Sequence, residues 1–258
     1  MDMDIHAVSL EQLSYDYCVD ACALAGGRNL FALSRNDARR RPYLNGEALN
    51  VLCMGGICAF CTRDLHLLDA LRARYADAGG EWFLESDSLH GLDELLSTFG
   101  MRISSHHLYF LPATGAGSAQ AHIAHDHARA LPYEIRWYDA GELKAMAGDP
   151  RFDEALAGSA SHPDELGAAA LYGGRILGMA AASRDSGRLW QIGINVEPDA
   201  RGRGIATHLV ALLKDALMAR GIVPFYGTAF SHIASQRTAI SAGFTPAWAE
   251  LSARAIGQ

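Results

Sequence analysis

The sequence predicts an α/β chain, α+β in arrangement, built as two halves joined by a linker. Two observations carry that reading. Residues 133–258 run through strand-like and helix-like segments in the order β, α, α, β, β, β, α, β, α, β, and residues 1–112 repeat part of it. Between the halves, at 113–132, stands a stretch of small residues without apolar period followed by a His-rich tract, the composition of a linker. Half of the 258 residues are hydrophobic, enough to bury a sizeable core.

In the C-terminal half, Tyr133–Tyr138 reads as a strand and Ala140–Ala157 as one or two helices broken near Asp149-Pro150. Ala168–Tyr172 and Arg175–Ser183 form a hairpin about Gly173-Gly174, a favoured two-residue turn. Arg188–Val196 alternates apolar and polar positions as a half-buried strand does. Ile205–Arg220 has helical apolar spacing with Gly221 as a stop, and Val223–Thr228 is a further strand. Ser231 is expected to cap a helix running to Ala242 and closed by Gly243. Only Pro246–Ser252 then remains for a strand, so the sheet looks one strand short. Met101–Phe110 is the segment expected to cover its edge.

The most informative stretch is Arg201-Gly202-Arg203-Gly204-Ile205-Ala206-Thr207, set between a strand and a helix start. Glycines let a ligand approach the backbone, and a helix start offers free N–H groups at the positive end of its dipole. This is an anion cradle. It is not a P-loop, since no Gly-Lys-Ser/Thr occurs, and the third glycine of a dinucleotide fingerprint is replaced by Thr207.

The segment VEPDARGRGIATHLVALL resembles the acyl-CoA motif of the GNAT N-acyltransferase superfamily, and SHIASQRTAISAGF resembles that family's late helix ending in Gly-Phe. The resemblance covers roughly Tyr133 to Arg254. It implies a mixed, largely antiparallel sheet flanked by helices and transfer of an acetyl group from acetyl-CoA to a primary amine in a ternary complex. It places the co-substrate against Ile194, Asn195 and Val196 and against Arg201 to Thr207. An N–H around Ile194 to Val196 would meet the developing oxyanion. The family's general-acid Tyr position holds Ala239, its usual Asn holds His232, and the strand position that often carries an acid is about Trp190. Tyr226, His232 and Ser235 are the remaining candidates near the thiol. These departures motivate the alternative of a non-catalytic acyl-CoA-binding regulatory or interaction module. Asp149, Asp153, Glu154, Asp164 and Glu165 are acids available to a cationic acceptor.

In the N-terminal half, Leu10, Leu13, Tyr17, Ala21 and Leu24 follow helical spacing. Leu49–Cys53 and Ile57–Cys61 are strands about Gly55-Gly56, Leu65 to Tyr75 an amphipathic helix, Trp82–Glu85 a strand, Leu89–Phe99 a helix and Met101–Phe110 a strand. This order resembles the second half of the GNAT plan without its Arg/Gly turn, a degenerate half-domain that shapes the acceptor pocket or extends the sheet.

A net charge of −7 and a pI near 5.8 argue against nucleic-acid or anionic-membrane partners. Arg39-Arg40-Arg41 is expected to be a solvated loop. The N-terminus lacks a signal pattern and no apolar run approaches the roughly 20 residues of a membrane helix, so a soluble, cytoplasmic protein is expected. Cys53, Cys58 and Cys61 have C-x4-C-x2-C spacing, but the residues between them are strand-like. Cys18 and Cys22 stand four apart on a predicted helix. All five cysteines read as reduced core thiols, and His122, His125 and His127 about Asp126 as a chelating tract without supporting shell, so no metal is expected. Oligomeric state is left open.

Overall fold

The computed structural model describes residues 3–114 and 133–257; His122, His125, Asp126, His127 and most of the linker lie outside the described residues. The chain divides into two compact units. One comprises His6–Tyr109 with Ala247–Gln258, the other Met1–Ile5 with Phe110–Pro246. Division of the sequence into 1–112 and 133–258 leaves the last strand with the C-terminal half. The structure instead gives Ala247 onward to the N-terminal unit, for a reason visible in its strand pairing.

The N-terminal unit begins with α1 (Ile5–Tyr17), then β1 (Leu30–Leu33) and a hairpin of β2 (Leu49–Met54) and β3 (Ile57–Thr62). The hairpin turns at Gly55 and Gly56, both at positive φ, 59° and 82°. Helices α2 (Leu65–Tyr75) and α3 (Ser86–Ser97) follow, then β4 (Met101–Pro112). Asp64 caps α2 by accepting from the His66 and Leu67 amides. β1 runs parallel to β3, and the far edge of β2 pairs antiparallel with Ala249–Ala253 of the last strand. Leu49 and Val51 of β2 and Leu251 and Ala253 of the last strand enter one core with Phe60, Leu67, Leu71 and Phe83. Residues 247–258 therefore belong here: without them β2 would lose its ladder and this core four-strand continuity.

Two expectations are corrected in this unit. Trp82–Glu85 is not a strand; Gly80–Trp82 is a single 3-10 turn that exposes Trp82 and turns Phe83 inward, against the Phe60 ring at 5.2 Å. The Arg39–Arg41 run is not a solvated loop, since only Arg39 is outside. Arg41 is fully buried, with Nε 2.6 Å from Asp16 Oδ2 and Nη2 on Glu250 Oε1. Asp16 also accepts from the Arg41 amide at 2.8 Å and from Gln12 at 2.9 Å, and Glu250 from Trp248 Nε1 at 2.8 Å. Burial pushes the Asp16 carboxyl up, and the Arg41 guanidinium beside it works the other way.

In the second unit, β5 (Glu134–Asp139) leads into α4 (Ala140–Met146) through a reciprocal capping box between Asp139 and Glu142. The expected second helix up to Ala157 does not form: the first ends at Met146, ahead of Asp149-Pro150, and Asp153–Ala155 is turn. Next come β6 (Asp164–Tyr172), β7 (Arg175–Ser183), β8 (Leu189–Val196), α5 (Ile205–Ala219), β9 (Val223–Ala229), α6 (Ile233–Ser241) and β10 (Phe244–Ala255), which passes into the N-terminal unit at Ala247. Strands β5 to β8 are antiparallel neighbours in order, and β9 joins β8 in parallel. The sheet is thus mixed and mostly antiparallel, with helices on both faces. Met179 and Ala181 of β7 face Leu143 of α4 and Phe152, whereas Gly178, of opposite parity, faces Ile205 of α5. His232, not Ser231, is the residue before α6, and no side chain caps that helix. Among the described residues no helix is long and apolar enough to cross a membrane.

Candidate acyl-transfer site

The site begins where two strands stop pairing. β8 and β9 are in register from Leu189–Gln191 against Val223–Phe225 and no further. The Glu197 amide bonds Leu177 of β7, while the Val223 amide bonds Arg188 of β8. Backbone groups alternate sides along a strand, so even-numbered residues of β8 turn theirs away from β7 and toward β9. The N–H groups of Ile194 and Val196 accordingly face the opening between the parted strands. A cleft of about 550 Å³ occupies that opening, and Ile194, Asn195 and Val196 form one wall.

The Gly-rich turn closes the cleft below. Gly202 and Gly204 hold φ of 74° and 78°, and a Cβ built on either would meet no atom within 4 Å. The His208 amide makes the first helical bond, to Gly204 O at 3.0 Å. The amides of Ile205, Ala206 and Thr207 therefore have no acceptor within α5 and stand at its positive end. Arg201 folds back, its Nε 3.0 Å from Val196 O. That contact occupies the Val196 carbonyl and leaves its N–H open to the cleft. All the residues expected to bind the co-substrate line the cleft except Arg203, which is exposed and does not.

The opposite wall carries the three catalytic candidates. Tyr226 is 2 % exposed, and its hydroxyl lies 2.9 Å from Ser235 Oγ. Burial pushes the Tyr226 phenol up; the Ser235 hydrogen bond opposes this and the charge of Glu154 adds to it, so Tyr226 keeps its proton at neutral pH. His232 reaches the same cleft from the start of α6 but is exposed.

A fourth participant comes from the turn after α4. Asn195 Oδ1 accepts from the Glu154 and Ala155 amides at 3.0 and 2.6 Å, and its Nδ2 donates to Asp153 at 3.0 Å. Beneath them Gly193 lets this turn settle on β8: a Cβ there would lie 2.0 Å from Glu154 O. Of the five acids available to an acceptor, Glu154 lines the cleft. Asp149 pairs with Arg151, Glu165 with Arg184, and Asp164 accepts from the Ala157 and Gly158 amides. The β8 position that often carries an acid in the family holds Trp190 here. Gly193, a lone glycine inside a strand, is the sequence signal for the close approach of this turn.

The acetyltransferase (GNAT) family profile matches residues 128–244. That stretch is a GNAT acetyltransferase domain. No curated protein sequence matches the chain. Among solved structures, a putative GNAT acetyltransferase from Novosphingobium aromaticivorans is 20% identical at a TM-score of 0.42, over 60% of this chain and 66% of that one. A GCN5-related N-acetyltransferase-like protein from Streptococcus suis is 16% identical at 0.47, over 66% and 68%. The aminoglycoside N-acetyltransferase AAC(6')-Iy, in complex with CoA, is 21% identical at 0.34, over 45% and 93%. The chain thus spans about two thirds of the length of the first two. The GNAT domain belongs to a family of acyl-CoA-dependent transferases, and its β8–turn–α5 segment lies wholly inside the matched residues.

Proposed function

We propose that this protein is an N-acetyltransferase that moves an acetyl group from acetyl-CoA to a primary amine by direct transfer in a ternary complex. The observation that carries the reading is the parting of β8 from β9 directly above the Gly202–Thr207 cradle. One opening thereby joins a row of unbonded helix-start amides, suited to a pyrophosphate, to the inward N–H groups of Ile194 and Val196.

In this reading the Val196 or Ile194 N–H donates to the thioester carbonyl oxygen as the amine nitrogen attacks its carbon. The C–N bond forms, the C–S bond breaks, and the Tyr226 hydroxyl gives its proton to the leaving thiolate. Ser235 holds the phenol in place through its hydroxyl. Glu154 attracts the cationic acceptor and takes the first proton that the amine must shed; the second, lost as the amide forms, restores the Tyr226 phenol. The acceptor is a small-molecule amine or an amine of a peptide or protein. The alternative, an acyl-CoA-binding module without turnover, differs in one readout: it would bind CoA and release no free thiol with any amine.

Gly204→Asp tests the cradle. A carboxylate there would face the pyrophosphate, so CoA affinity falls at least tenfold by calorimetry, about 1.4 kcal/mol or more. Gly204→Ala, which shares the strain of φ 78° without the charge, loses less. Unchanged affinity in a folded Gly204→Asp protein removes the phosphate assignment.

Tyr226→Phe tests the proton donor. With acetyl-CoA and an amine panel, thiol release should slow by roughly 10²-fold while CoA affinity holds. Full turnover in that variant assigns the proton to another group.

A further inference from the structure

The two faces of β8 serve different sides of the cleft. A Cβ built on Gly178 of β7 would meet Val196 Cγ2 and Ile205 Cγ2, both at 3.1 Å, so the Val196 side chain points toward α5 and its cradle. A Cβ built on Gly193 would collide instead with the backbone of Glu154. Side chains alternate along a strand, so Asn195 shares the face of Gly193. Its side chain therefore meets the turn at 153–155 and not the Gly-rich turn, although both turns line one cleft.

The Asn195 side chain makes three hydrogen bonds, and all go to that turn. Its Oδ1 accepts from the Glu154 amide at 3.0 Å and the Ala155 amide at 2.6 Å, and its Nδ2 donates to Asp153 Oδ1 at 3.0 Å. Two N–H donors fix the orientation of the amide and use both lone pairs of its oxygen. Asn195 thus has no acceptor left for an ammonium group. Its neighbour Glu154 has. Asp149, Glu165, Glu197 and Asp199 are each engaged by an arginine, whereas the Glu154 carboxylate stands outside the ion pairs of the described residues.

The back of the turn is anchored by Phe152, Ala155 and Leu156, which are buried in one core with Leu143 and Met179. Asp153 and Glu154 project the other way and are exposed. Between those anchors, the bonds from Asn195 fix the backbone at Glu154. Without the Asn195 oxygen two amides lose their acceptor, one of them on a buried residue. The core would keep the turn folded while the carboxylate lost its fixed place. A displacement on the order of 1 Å is enough to cost about 10²-fold in rate.

We propose that Asn195 is a positioning residue for the acceptor: it clamps the 153–155 turn on β8 and thereby holds Glu154 where the amine must give up its proton. The role rests on the N-acetyltransferase reading, in which the Glu154 carboxylate takes the first amine proton and Tyr226 serves the leaving thiolate. Asp153 completes the clamp. Its carboxylate takes an Nδ2 hydrogen, and an amide turned over would set nitrogen against two N–H donors and oxygen against that carboxylate.

The test is thiol release by the full chain with acetyl-CoA and the best amine of a panel. Glu154→Gln should lower kcat/KM for the amine roughly 10²-fold. Asn195→Ala should lower it at least about tenfold, with a smaller change in CoA affinity by calorimetry. The double variant should lose little more than Glu154→Gln alone, because a residue that acts through another has nothing left to position. A residue that only stabilises the fold would give additive losses. Asn195→Asp sets two carboxylates against each other and should also be poor. Joining it to Asp153→Asn restores acceptor, donor and net charge, and should recover most of the activity. Additive losses, an unchanged amine kcat/KM in Asn195→Ala, or a CoA affinity that falls as far as the amine kcat/KM overturns the role. If Asn195→Ala misfolds, the reciprocal exchange decides, and no recovery over Asn195→Asp overturns it. A wild-type chain that releases no thiol with any amine overturns the N-acetyltransferase reading and this role with it, whereas turnover with additive losses overturns the role alone.

Discussion

Arg41→Ala should cost the full-length protein about 3–5 kcal/mol of stability, seen as a large drop in its urea midpoint. The reason is what the substitution leaves behind. Asp16 is wholly buried and Glu250 nearly so, and both lean on the same guanidinium. Removing it strands two carboxylates in the N-terminal core, where neither has another cation among the ion pairs of the described residues. Arg39→Ala is the matched control. Its partner Asp37 sits at the surface, 2.6 Å away, where water screens the pair, so the midpoint should scarcely move. Equal midpoints for the two variants would show that the buried cluster does not hold this unit together.

Expression of residues 133–258 alone should give insoluble or oligomeric protein. Such a fragment keeps the whole of β10 but discards β2, its antiparallel partner from Ala249 to Ala253. It exposes Leu251 and Ala253, both fully buried in the intact chain, and sets Glu250 and Trp248 in solvent without Arg41. An unpaired apolar strand edge is a template for association. The fragment also lacks Phe110–Pro112, which the intact chain gives to the GNAT unit. Size-exclusion and denaturation measurements decide the matter. A monomeric, cooperatively folding fragment that binds CoA like the full chain would falsify this account of β10.

Legibility in the sequence followed how local the cause of each feature was. The Gly202–Thr207 turn could be read because positive φ restricts it to glycine and the flanking periods switch from two to 3.6 residues. The Gly173-Gly174 hairpin was legible for the same reason, at φ 57° and 79°. β1 was not, since Leu30–Leu33 is three half-buried residues and one exposed, held in place by parallel pairing with β3. Trp82–Glu85 misled because aromatic content imitates a strand while one buried Phe83 accounts for it. The arginine run looked solvated because its partners, Asp16 and Glu250, stand 25 and 209 residues away in sequence. Glu154 was visible as an acid, but its place at the cleft depends on Asn195 and Gly193, some 40 residues further on.

The shared ownership of β10 also sets a timetable for biosynthesis. β2 emerges early from the ribosome, yet its outer edge meets its partner only after residue 253 has been made. At the usual pace of about 5–20 residues per second, that is a wait of some 10–40 s. Through that interval the edge of β2, buried over its first four residues in the finished fold, stays open, and closing so long a loop is entropically costly when the partner does arrive. The GNAT unit, whose last residue is Pro246, can be complete before then. The half of the chain made first is thus the half that finishes folding last, and it is the one for which chaperone protection during synthesis matters.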